Sequence, residues 1–118
     1  FDMAAAAMLA QVMRKRGLDA GAAPAEMLRG DATPAEELAR IRQAWLCTVE
    51  GMGSTAAARS ILRRVKRRLP GVEVNVLVIG NEGRLAEALR QEGAGSVTNS
   101  MEATADQACQ AGEDQDRA

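Results

Sequence analysis

A chain of 118 residues that is 47% apolar and 26% charged is long enough for one domain around one core, and too apolar for wholesale disorder. Its only aromatic rings are Phe1 and Trp45 and it has no His, which excludes a base-stacking nucleic-acid platform, imidazole acid–base catalysis, His-ligated metal and an imidazole pH switch. With 15 basic and 16 acidic residues the formal net charge is −1, so no global attraction draws the chain to nucleic acid.

Residues 3–16 predict a helix. Asp2 is placed to cap it, Ala4 to Ala7 favour it, and Met8, Leu9, Val12 and Met13 recur at the spacing of one helix face. Arg14, Lys15 and Arg16 suit the negative end of the helix dipole, and Gly17 suits the left-handed position just beyond. Leu18–Ala23 is a weak strand candidate closed by Pro24. Thr33-Pro34-Ala35-Glu36 combines a Thr cap, Pro in the first turn and Glu three residues on, and predicts a short helix to about Arg42. Ala44–Val49 is a short apolar run with a Gly-rich exit at Gly51-Met52-Gly53-Ser54, which reads as a buried strand. Ser54 or Thr55 then caps a long helix to about Leu69, with Ala57, Ile61, Leu62, Val65 and Leu69 inward and Pro70-Gly71 as its stop. Val72–Ile79 is the clearest strand, with five β-branched residues among eight. A helix over 82–91 buries Leu85, Ala88 and Leu89. Ser96–Asn99 is a short last strand, and Ser100 caps a final helix over 101–110.

Strands alternating with helices through short connections predict an α/β fold: a flavodoxin-like or Rossmann-like three-layer sandwich with a mostly parallel sheet. Residues 1–111 are expected to form one domain and 112–118 a polar, frayed tail. A fold of this kind begins with a strand, whereas this chain begins with a helix. The expectation is a piece of a longer protein whose first strand is missing from this chain. No apolar run approaches the roughly 18 residues that span a bilayer, and no basic segment precedes an apolar one as in a signal peptide.

Four stretches together resemble a known family: Asp2–Gln11 (DMAAAAMLAQ), Arg16-Gly17-Leu18, Ala44-Trp45-Leu46-Cys47, and Ala57–Gly71 with its Arg63-Arg64-Val65-Lys66-Arg67-Arg68-Leu69-Pro70-Gly71 end. Over roughly residues 1–105 the chain resembles the soluble C-terminal domain of bacterial AI-2E family transporters, which are permease-like membrane proteins. The loops Glu50–Gly53 and Gly80–Glu82 depart from that family's usual pattern. The resemblance implies a hydrophobic strand upstream of Phe1 and a place on the cytoplasmic side of the bacterial inner membrane. It implies as partner the membrane portion of the same transporter, where the transport chemistry resides.

Candidate sites fall into three groups. Gly51–Thr55, where a Gly-rich turn meets a helix start, could form an anion-binding nest at the carboxyl ends of the strands, with Thr48, Glu50, Ser54, Thr55, Asn81 and Glu82 as neighbours of a small ligand. It matches neither the P-loop nor the dinucleotide fingerprint, so the plain reading is a strand-to-helix turn. Arg59, Arg63, Arg64, Lys66, Arg67 and Arg68 are six basic residues on one helix with no acid between them. They suit anionic lipid headgroups, an acidic patch on the transporter or, last of the three, nucleic acid, against the plain and favoured reading of a solvated helix face.

Cys47 is the third group. A phosphatase loop needs Arg six residues after the thiol, where Gly53 stands, and a phosphocysteine carrier needs the thiol at a helix N-terminus rather than inside an apolar run. The favoured reading is a buried small hydrophobe and a reduced cytosolic thiol. Cobalamin in its base-off mode is excluded for want of a His ligand. No catalytic residue, metal or cofactor is therefore expected, and nucleic acid is not an expected partner. An incomplete sheet would favour a homodimer. The function expected is a non-enzymatic regulatory or assembly domain of a membrane transporter. The alternatives are a small-molecule sensor at the strand ends and, behind it, a Cys47-based phosphatase or phosphocarrier.

Overall fold

The computed structural model describes residues 3–23, 39–49, 54–80 and 83–117. Its elements in chain order are α1 (Met3–Lys15), β1 (Ala44–Val49), α2 (Thr55–Arg68), β2 (Val74–Ile79), α3 (Arg84–Gln91), β3 (Val97–Thr98) and α4 (Met101–Arg117). The strands form one parallel sheet in the order β1-β2-β3. Ala44 pairs with Val74 and Val49 with Ile79 at the two ends of the β1–β2 ladder, and Val76 and Leu77 pair with Val97 and Thr98.

β2 shows why the sheet carries helices on both faces. Side chains alternate across a strand, and Val74, Asn75, Val76, Leu77 and Val78 are all buried. Val74, Val76 and Val78 point into a core with Ala58, Leu62 and Val65 of α2, Leu69, and Leu85 and Leu89 of α3. Leu77 points the other way, into a core with Ala5, Leu9 and Met13 of α1, Cys47 of β1 and Ala108 of α4. The result is a three-layer α/β/α sandwich, with α2 and α3 on one face and α1 and α4 on the other, compatible with a flavodoxin-like or Rossmann-like fold.

Local chemistry sets the helix ends. At the end of α1, Gly17 takes the left-handed conformation (φ 91°), its N–H donates to the Arg14 carbonyl, and the Leu18 N–H donates to the Met13 carbonyl. That pair of bonds is a Schellman close, as the sequence predicts. The same close recurs at α3, where Gly93 N–H donates to Arg90 O and Ala94 N–H to Leu89 O. Ser54 caps α2 in extended conformation, its Oγ accepting from the Ala57 N–H at 3.0 Å. Ser100 does the same for α4, accepting from the Ala103 N–H at 3.1 Å. The expected Asp2 cap lies outside the described residues.

The structure differs from the sequence expectations in four places. First, Leu18–Ala23 is not a strand. It has no β-branched or aromatic residue, and Arg14 Nη1 donates to the Ala20 carbonyl at 2.7 Å while Leu18 and Ala20 fold in beneath α1. The sheet therefore has three strands among the described residues, not four. Second, β2 begins at Val74 rather than Val72: the Val72 N–H is taken by the Leu69 carbonyl in the turn after α2. Third, α4 runs to Arg117, past the expected end at 110 and through the segment expected as a polar tail. At Gly112 its backbone runs beside Leu18, where an added Cβ would make an ordinary van der Waals contact at 3.4 Å from Leu18 Cδ2. Arg16 Nη1 donates to Asp106 Oδ1 at 2.5 Å across the same seam, and this bond raises the Arg16 pKa. Fourth, the helix predicted over 33–42 falls largely outside the described residues, and Ile41–Gln43 already lead into β1 without helical structure.

Candidate functional site

α2 is the most strongly patterned surface element. Ala58, Leu62 and Val65 form its buried stripe, with Ile61 half-buried beside it, and Leu69 continues that stripe just past the helix end; Ala57, expected inward, is exposed, because the stripe passes through the next position round the helix. At 3.6 residues per turn, burying that stripe forces the intervening basic side chains onto the remaining arc. Arg63, Lys66 and Arg67 are exposed, and Arg59, Arg64 and Arg68 flank them half-buried. Lys66, Arg67 and Arg68 lie in the last turn, where the helix dipole favours cations. Arg63 Nε forms an ion pair with Glu92 at the end of α3. The Lys66 ammonium fills the space that a side chain at Gly93 would occupy. The Nε groups of Arg59 and Arg68 are buried without a hydrogen-bond partner. The helix thus presents a basic outer surface, pinned along one edge by the α3 terminus.

Of the strand-end candidates, three lie among the described residues, and they stand in different settings. Thr48 is in β1 and 4% exposed, and its place in the strand alternation puts it on the same face as Ala44 and Leu46, beneath α2. Ser54 and Thr55 are exposed at the start of α2, and the Ser54 hydroxyl is engaged as the helix cap. Glu50, Asn81 and Glu82 lie outside the described residues.

Cys47 lies in the core between α1, β2 and α4, 4% exposed. It pairs in register with Leu77 of β2. The buried small hydrophobe expected from the sequence is what its surroundings make of it. Cys109 on α4 is half-buried. Among the described residues, no three His, Cys, Asp or Glu side chains are grouped closely enough to hold a metal ion. No described helix is long and apolar enough to cross a membrane.

Sequence reasoning missed one feature. A cavity of about 590 Å³ opens between α1, the 17–23 segment, the approach to β1 and α4. Its walls include Leu9, Met13, Leu18, Trp45 and Cys47, and none of Thr48, Ser54 or Thr55. Trp45 stands at its side with the indole N–H donating to Gln43 Oε1 at 3.2 Å, while Gln43 Nε2 donates to the Ala108 carbonyl at 2.9 Å. The signal for it was the composition of 20–23, Ala-Gly-Ala-Ala, which brings little side-chain volume to the cavity wall.

No family model, no curated protein and no solved structure matches this chain.

Proposed function

We propose that this domain is a non-enzymatic regulatory or assembly module of a bacterial membrane transporter, on the cytoplasmic side of the inner membrane, and that α2 is its membrane-facing surface. The observation that carries the reading is the outer face of α2. From Arg59 to Arg68 it bears six cations and no acid, in a chain whose net charge is only −1. A solvated helix needs no such segregation, since mixed charges serve solubility equally well. Each cation near an anionic leaflet contributes about 1 kcal/mol, so three or four together hold a tethered domain against the surface. Burial of Cys47 in the core supports the non-enzymatic side of the reading, because a catalytic thiol needs exposure and an electropositive setting.

Vesicle co-sedimentation tests the proposal. The domain should sediment with phosphatidylglycerol-containing vesicles and not with phosphatidylcholine alone, and added salt should release it. Arg64→Glu with Arg67→Glu should weaken sedimentation by about tenfold or more with the fold intact by circular dichroism. Equal sedimentation of wild type and double variant would refute the role given to α2.

A further inference from the structure

α2 and α3 lie side by side on one face of the sheet, and the seam between them is charged at the close of α3. Arg63 and Lys66 are three residues apart, so they stand on the same side of α2. Both reach the end of α3. Arg63 Nε pairs with the Glu92 carboxylate, and the Lys66 ammonium lies over Gly93, the next residue. Glu92 is the C-cap of α3, where its N–H donates to the Ala88 carbonyl. A carboxylate in that position meets the negative end of its own helix dipole, which disfavours it. The cations beside it come from α2.

This seam is where the basic face of α2 is neutralised from within. Among the described residues, Glu92 is the acid with which a cation of α2 forms an ion pair. The Arg63 side chain is 58% exposed and that of Glu92 23%, so an anion from outside can approach the guanidinium. Ion pairs at such exposure are weak and open to exchange. A guanidinium presents the same planar donors to a phosphate as to a carboxylate, so a lipid phosphate can replace the carboxylate on chemically equal terms.

We propose that Glu92 is an internal competitor of the anionic membrane surface: its carboxylate occupies Arg63 in the free domain, and a headgroup phosphate takes its place when α2 meets the bilayer. This rests on the reading of α2 as the membrane-facing surface and gives that surface its regulation. The affinity of the domain is then set below what six cations could give. Withdrawing Glu92 from Arg63 raises it, whereas removing an acid of equal charge elsewhere on α3 does not.

Sedimentation with phosphatidylglycerol-containing vesicles at low salt provides the test, with circular dichroism to check each fold. Glu92→Gln removes the charge at nearly constant shape and frees Arg63. Binding should tighten by about fivefold, the contribution of one added cation. Glu87→Gln removes the same charge from the same helix, but Glu87 pairs with Arg90 at 3.7 Å, and binding should stay within about twofold of wild type. Arg63→Gln should change binding little on its own, because that charge is already matched. In the Glu92→Gln background it should cost about fivefold. Binding of Glu92→Gln no tighter than wild type, while Arg64→Glu with Arg67→Glu still weakens it, would overturn this inference and leave the role of α2 standing. Equal gains from Glu87→Gln and Glu92→Gln would reduce the effect to net charge and overturn it too. So would additive effects of Arg63→Gln and Glu92→Gln, since the two side chains would then act separately. Failure of every form to sediment would remove the membrane role of α2 as well.

Discussion

The hydroxyl oxygens of Thr98 and Thr104 lie 2.5 Å apart, joining the short edge strand β3 to the first turns of α4. Thr104 is fully buried, and each hydroxyl also has a carbonyl within reach, Ser100 O at 2.8 Å from Thr104 Oγ1 and Val76 O at 3.5 Å from Thr98 Oγ1, so either can donate between the pair. β3 has only two residues in the ladder, and this link helps hold it against the sheet. Thr104→Val keeps the shape but removes the hydroxyl, with its bonds to Thr98 and to the Ser100 carbonyl. The expected loss is about 1–2 kcal/mol, read as a lower urea midpoint with unchanged slope. Thr104→Ser should lose less. A valine variant as stable as wild type would mean that the two hydroxyls contribute nothing net.

Asn75 gives the opposite expectation. It is 6% exposed in the central strand, and its Oδ1 is buried with no hydrogen-bond partner. Desolvating that oxygen is uncompensated, while Asn75→Leu removes the polar atom at similar volume. Thermal unfolding should show the leucine variant more stable by about 1 kcal/mol. Destabilisation instead would point to a partner for Asn75, such as a buried water.

Two hydrophobic truncations should separate sharply. Leu77 is fully buried at the centre of the sheet, and Leu77→Ala should cost about 3 kcal/mol through lost contacts and a cavity. Met8 is 56% exposed on α1, and Met8→Ala should change stability by about 0.5 kcal/mol or less. Chemical denaturation of the pair measures whether α1 presents the face assigned to it.

Gly71 has φ 85° and open space where a Cβ would go, so Gly71→Ala meets backbone strain alone, about 1 kcal/mol. Gly21 also has open space and no left-handed requirement, and Gly21→Ala should be neutral or slightly stabilising. The difference in unfolding midpoint between the two variants isolates the conformational term.

The thiols should react in order of exposure. Cys109 is half-buried and Cys47 is 4% exposed, so an aromatic disulfide reagent should modify Cys109 first, and Cys47 should react at a rate that follows opening of the domain. Rapid native-state modification of Cys47 would revive the catalytic-thiol alternative.

What could be read without coordinates was whatever neighbours along the chain decide. The Ser54 cap, the left-handed close at Gly17, the β-branched run of β2 and the Leu62, Val65 and Leu69 part of the inward stripe of α2 are contained within a few residues each, and they appear where expected, whereas Ala57, expected inward, is exposed and Ala58 is buried in its stead. The segregation of cations on α2 was equally legible, because helical periodicity turns spacing into a face. Strand formation at Leu18–Ala23 was not, since a strand exists only through a partner and Arg14 claims the Ala20 carbonyl instead. The end of α4 was missed for a related reason: its packing against Leu18 at the close of α1 spans almost the whole chain. Cys47 could be judged buried from its apolar run, but its place on the wall of a cavity depends on how α1 and β1 meet. Local sequence determined the elements and their apolar faces. Only tertiary structure decided that β2 is the central strand and on which face each helix packs, because hydrogen-bond pairing and handedness are relations between segments far apart in the chain.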